Sequence, residues 1–319
     1  MLARLLAVTA ALSSTLLLPA TAGPTAETPA RAGDSAVTGH RAPALFAPGV
    51  ISTPDQEEYR ITFTPDGRTA YFSRAASFFP VSRQATIYQS QRTRTGWSTP
   101  VVAPFSGTYS DIDPFVTPDG KHLYFSSIRP VGGTARDDID VWVVDRRPDG
   151  SWSAPRHTGA VNQGGVAADG SPIDELYPSI GPDGAMYVGS NRDGGQGGWD
   201  VWRAAPRRDG TFGPAVNLGP KLNTAGWEFN PVVSPDGRYL VFSRIAAFQA
   251  PWGELQASAR TAHGWGAPHP IEAVNTEADE YHASFSPDGR RFYFVRNAVT
   301  ETSNGDFYTI PVRNLRLGR

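Results

Sequence analysis

The chain of 319 residues contains no cysteine. That excludes disulfides, thiolate metal sites, cysteine nucleophiles and a lipidated cysteine after an export signal. Stability must come from core burial, which a chain of this length can supply. Lysine is nearly absent, with Lys121 and Lys221 alone among 29 basic residues. Against 31 acidic residues the net charge is −2, so no strongly basic face is expected and nucleic acid is excluded as a partner. The six histidines, at 40, 122, 157, 263, 269 and 282, show no HExxH or paired metal spacing. No GxSxG elbow is present. Helical signals are scarce, and frequent proline and glycine punctuate the chain. No apolar stretch beyond the N-terminus is long enough to span a membrane. No cofactor and no metal are expected.

What is present is one phrase, five times. It reads ITFTPDGRTAYFSR at 61–74, PFVTPDGKHLYFSS at 114–127, PSIGPDGAMYVGSN at 178–191, PVVSPDGRYLVFSR at 231–244 and ASFSPDGRRFYFVR at 283–296. Each copy is an apolar strand, a Pro-Asp-Gly turn and an aromatic-rich strand. The turn aspartates are Asp66, Asp119, Asp183, Asp236 and Asp288, separated by 53, 64, 53 and 52 residues. A period of this length signals a repeat architecture and suits a four-stranded antiparallel blade. Third strands are centred on Ile87-Tyr88, Val141-Trp142, Val201-Trp202, Leu255 and Phe307-Tyr308. An aromatic followed by a proline announces each fourth strand: Trp97 with Pro100, Trp152 with Pro155, Phe212 with Pro214, Trp265 with Pro268.

The last copy lacks that fourth strand, and residues 42–59 parallel 213–229 in pattern. The N-terminal segment is therefore expected to complete the last blade, which removes a free sheet edge. The fold expected is all-β, a five-bladed β-propeller over 42–313 with a C-terminal tail at 314–319. Six blades is the alternative. Ahead of it, Arg4, the apolar stretch from Leu5 to Leu18 and Ala20-Thr21-Ala22 read as a signal peptide over 1–22, cleaved before Gly23. Residues 23–41 read as a disordered linker. A secreted or periplasmic monomer is expected.

The strings SPDGRYLVFSR (234–244), YVGSNRDGGQGGWDVWRA (187–204) and KLNTAGWEFNPVVSPDG (221–237) resemble the TolB-like propeller repeat, a WD40-like repeat named for its Pro-Asp-Gly turn. The resemblance spans about residues 42–312. It implies a propeller from the bacterial envelope that acts as scaffold, binding module or peptidase appendage. TolB itself is similar to a six-bladed ring on a separate N-terminal domain, and neither feature is legible here.

Eight residues before each turn aspartate stands an acid: Glu58, Asp111, Glu175, Glu228, Glu280. After each second strand comes an arginine: Arg74, Arg129, Arg192, Arg244, Arg296. Inner strands line a propeller's channel, so these ten residues are expected to ring one channel mouth as bidentate ion pairs. Five equivalent copies argue for architecture. Extra acids break the symmetry at Asp113, Asp174 and Asp279. Loop aromatics Phe78, Phe79, Phe248 and Trp252 are candidates to stack on a sugar or anchor a peptide, the alternative being packing under their own loops. The function expected is recognition of a protein, peptide or cell-envelope glycan through one propeller face. The alternative is a glycoside hydrolase in which Asp111, Glu175 and Glu280 supply acid and base. The glycine-rich DGGQGGWD at 193–200 reads as a tight turn, and Asp140, Asp200 and Asp306 as side chains that bond nearby backbone amides.

Overall fold

The structure is a computed structural model that describes residues 42–246, 253–298 and 304–318. The signal peptide and linker, and with them Phe248 and Trp252, lie outside the described residues. Five antiparallel sheets, each built on four strands and four of the sheets in sequence order from the axis outward, form a five-bladed propeller. The first blade is typical: Glu57–Phe63, Thr69–Ala75, Thr86–Gln91 and Val101–Val102. In the fourth blade two short segments, Gly264–Trp265 and His269–Pro270, share the outermost place.

The fifth blade runs Asp279–Phe285, Arg291–Asn297, Asp306–Pro311 and then Ala44–Leu45. Ala44 pairs with Thr309 and Leu45 with Tyr308, both antiparallel. Phe46 follows, donating its amide to the Phe307 carbonyl at 2.7 Å. Its ring packs edge-on against Phe63 and Tyr293. The N-terminal strand thus closes the ring and covers the edge that the last blade would expose.

The turn chemistry explains why the phrase repeats. Asp66 accepts from the Thr64 hydroxyl at 2.7 Å and the Arg68 amide at 3.0 Å, while Gly67 takes φ +67°. A β side chain is strained there, so glycine is required. The same Ser/Thr–Asp pair holds the turns at Asp119, Asp236 and Asp288. The third blade has Gly181 at the hydroxyl position, and Asp183 instead takes Arg203 at 2.9 Å and Arg260 at 3.3 Å.

Apolar clusters fill the junctions between blades. Trp152 of the second blade reaches Tyr71 of the first, its indole N–H donating to the phenol at 3.0 Å. Leu315 and Leu317 are buried among the residues of blades four and five. In the C-terminal tail these two leucines find an apolar groove between blades.

Candidate functional site

Each expected acid meets its expected arginine. Arg74 lies 3.1 Å from Glu58, Arg129 2.8 Å from Asp111, Arg192 2.7 Å from Glu175, Arg244 2.8 Å from Glu228 and Arg296 2.7 Å from Glu280. All five acids are fully buried. In each pair the guanidinium also donates to a carbonyl in the segment that leads into that blade: Ile51, Phe105, Val161, Leu222 or Val274. It lies over an aromatic ring too, Phe72, Phe125, Trp202, Phe242 or Phe294. Thr53, Ser106, Thr224 and Thr276, on the same incoming segments, give hydroxyl hydrogen bonds to the acids. Burial pushes the carboxyls of Glu58, Asp111 and Glu175 upward, and the neighbouring arginine pulls each back.

These partners correct the expected position. The side chains face the junction with the preceding blade, as the carbonyls and aromatics they touch require. They do not line the channel. Strand alternation explains the difference, since a side chain that packs on one face of a blade cannot also aim along the propeller axis. The device is a clamp that bolts each incoming connection to its blade. Asp111, Glu175 and Glu280 are each fully buried and paired with the arginine of their own blade.

The channel is lined by residues that the acid count passed over. Every inner strand carries a bulge two residues beyond its acid. The bulged residues are Arg60, Asp113, Tyr177, Asn230 and His282, all at positive φ. A bulge re-aims a side chain out of the alternating pattern. Contacts between blades that are not neighbours put these side chains on the axis. Arg60 of the first blade donates to the Pro231 carbonyl of the fourth at 3.2 Å. His282 Nδ1 of the fifth blade is 3.1 Å from Asp113 Oδ1 of the second, without hydrogen-bond alignment. The imidazole is ringed edge-on by Tyr59, Tyr177 and Tyr281. Burial lowers the His282 pKa, with Asp113 opposing, and pushes Arg60 down to about 10. A sequence signal for this ring exists. The position six before each turn aspartate is polar in all five copies, and proline follows it in three. Proline suits a bulge because it offers no ladder amide.

Above the ring, toward the loop face, the residue after each acid forms an apolar layer: Tyr59, Ile112, Leu176, Phe229 and Tyr281. For Phe79 the packing alternative holds. It is buried against Tyr59, whose phenol accepts the Phe79 amide at 2.8 Å, because the short helix Phe79–Ser82 turns it inward over the channel. Its neighbour Phe78 is exposed. Of the extra acids, Asp113 is in the ring. Asp174 is held by Arg83 from the first blade through two bonds of 2.8 and 3.0 Å and accepts the Ile139 amide. Asp279 opens the fifth inner strand.

The glycines of 193–200 serve a turn, with Gly194 at φ +88°, and a close approach as well. A β-carbon at Gly197 would strike the Gly226 carbonyl of the next blade. Asp200 accepts the Gly197 amide as expected, whereas Asp140 takes Arg136 and His157 instead. Among the described residues no group of three or more His, Asp or Glu is arranged to hold a metal. No helix there is long and apolar enough to cross a membrane.

The fold and site define the chain as a five-bladed β-propeller with a plugged centre. No family model matches it, and no curated protein sequence does. Solved structures do. An endo-arabinase from Bacteroides thetaiotaomicron is 13% identical, with 82% of this chain and 96% of that one covered and a TM-score of 0.52. A family 117 glycoside hydrolase from Zobellia galactanivorans is 14% identical, covering 84% and 89%, with a TM-score of 0.50. TolB from Acinetobacter baumannii is 14% identical and scores 0.47 over 80% of this chain. The match spans 54% of that TolB chain. At such identities the likeness is one of fold.

Proposed function

We propose that this chain is an exported TolB-like propeller that works as a binding module, recognising a protein, peptide or cell-envelope glycan through its loop face. One observation carries the reading. Among the described residues, the large apolar side chains left exposed are distributed unevenly. Phe78, Val81, Tyr109 and Val166 stand on loop-face connections of the first three blades. Leu45, Val101, Val102 and Val216 belong to outermost strands, and none lies on a Pro-Asp-Gly turn. The loop face therefore offers apolar side chains that a partner can cover, while the turn face offers none among the described residues. The repeat phrase supports the TolB-like reading, and the Arg4 to Ala22 pattern supports export. Hydrolysis is the weaker reading, since its three candidate acids are locked in ion pairs.

Capture of envelope components and a glycan array, run with the native protein and with Phe78→Ala/Val81→Ser, test the binding face. The variant should melt like the native protein and lose the captured partner. Undiminished capture refutes the face. Export is tested by N-terminal sequencing, where a mature start at Gly23 is expected and a retained Met1 in the cytosol refutes it.

A further inference from the structure

The ring at the axis holds more hydrogen-bonding capacity than it uses. Arg60, Asp113 and Asn230 have no solvent exposure at all, and His282 is almost as buried. Arg60 spends Nη2 on the Pro231 carbonyl, leaving Nε and Nη1 without a partner. Asp113 Oδ2 and Asn230 Nδ2 have no hydrogen bond, and Asp113 Oδ1 has only the His282 imidazole Nδ1 at 3.1 Å, out of hydrogen-bond alignment. Asn230 Oδ1 is engaged, accepting from the His282 amide at 3.1 Å and the Ser243 hydroxyl at 3.2 Å. A buried polar group without a partner costs free energy comparable to a lost hydrogen bond, and more when it is charged. Three side chains from three blades carry this deficit together at one point.

The surroundings fix what can satisfy them. Toward the loop face Tyr59, Leu176 and their equivalents pack in one apolar cluster beside the ring. Toward the turn face Phe115 of the second blade reaches across to pack against the cluster of blades four and five, and Arg60 lies 5.7 Å above its ring. With Arg60, Asp113 and Asn230 fully buried, an occupant that reaches all three must be small. Charge decides the rest. The guanidinium of Arg60 disfavours a cation and the carboxylate of Asp113 disfavours an anion. The occupant must accept from Arg60 and Asn230 while donating to Asp113, and water does both.

We propose that Arg60, Asp113, Asn230 and His282 form an internal water-binding site at the propeller axis, in which bound water links the guanidinium of the first blade to the carboxylate of the second and the amide of the fourth. Buried water of this kind, with about three polar partners, is part of a fold and costly to remove. Here it completes a polar pin through the centre of the ring, in addition to the clamps between blades.

The test is a crystal structure at a resolution that places waters, from one crystal grown without halide and one soaked in bromide. Density within hydrogen-bond distance of both Arg60 and Asp113 is expected in each crystal, with no bromine anomalous signal at the ring. A bromide peak there would make it an anion site and overturn the proposal. So would a direct Arg60–Asp113 ion pair with nothing between. In solution, oxygen-17 magnetic relaxation dispersion counts slowly exchanging waters. The folded double variant Arg60→Met/Asp113→Leu should lose at least one, and an unchanged count also overturns the proposal.

Discussion

Replacing Arg244 by Met removes one clamp and leaves its acid behind. Glu228 has no exposed surface and takes three bonds: the Thr224 amide and hydroxyl, each at 2.7 Å, and Arg244 Nε at 2.8 Å. Arg244 also holds the Leu222 carbonyl at 2.7 Å. Breaking a fully buried pair costs about 3–5 kcal/mol, because the remaining charge is uncompensated. The Arg244 side chain keeps 18% exposure, so water can enter and part of that cost is recovered. The expected loss is about 2–4 kcal/mol. At about 2–4 °C per kcal/mol for a chain of this size, Tm falls by roughly 4–16 °C. Glu228→Gln keeps shape and one acceptor but turns an amide donor toward the guanidinium, an expected loss of about 1–3 kcal/mol. The double variant should lose less than the sum, since each single change has already broken the same pair. Arg238→Met is the control. In its 2.7 Å pair with Asp236 the two side chains are 72% and 48% exposed, so the change should cost less than about 1 kcal/mol. Denaturant titration of the four variants measures this. If Arg244→Met costs no more than Arg238→Met, the clamp is not structural and the reasoning fails.

Deleting 42–53 should lower Tm by more than 10 °C while deleting 23–41 leaves it unchanged. The first deletion removes the closing strand and the burial of Ile51, each large apolar side chain contributing about 1.5–3 kcal/mol; equal melting temperatures refute closure. His282→Asn should change how stability depends on pH. Asn tolerates the φ of +52°, and Asn230 fills the equivalent bulge. Burial holds the folded His282 pKa below its ordinary 6.5, so below that pH the unfolded chain takes up a proton that the native protein refuses. The native protein should therefore lose stability relative to the variant as pH falls from 6.5, by up to about 1.4 kcal/mol per unit, until the folded pKa is reached. Parallel curves between pH 7 and 5 would refute a buried neutral imidazole. Phe79→Ala should cost about 3–5 kcal/mol, as for a buried core ring, whereas Phe78→Ala stays within about 0.5 kcal/mol; similar melting curves would overturn the assignment of inward and outward rings.

The sequence by itself determined the local and repeated parts of this protein. Asp66, Gly67 and the hydroxyl of Thr64 make their turn from neighbours within a few residues, so each copy can be read wherever it occurs. The blade count follows from the number of turns. The partnership of each acid with its arginine follows from their register on adjacent strands, as with Glu58 opposite Arg74. The missing fourth strand after Phe307 implied that residues near 44 must supply it. Tertiary structure alone decided where those charges face. Counting eight residues back from the turn placed Glu58 at a channel mouth, whereas the bulge two residues further on gives the axis Arg60. That bulge arises because five inner strands converge on one axis, a constraint that no single copy contains. It also explains why the axial residues differ, being Arg, Asp, Tyr, Asn and His, while the clamps repeat. Each clamp meets the same surroundings five times. The five axial side chains share a single space and must complement one another.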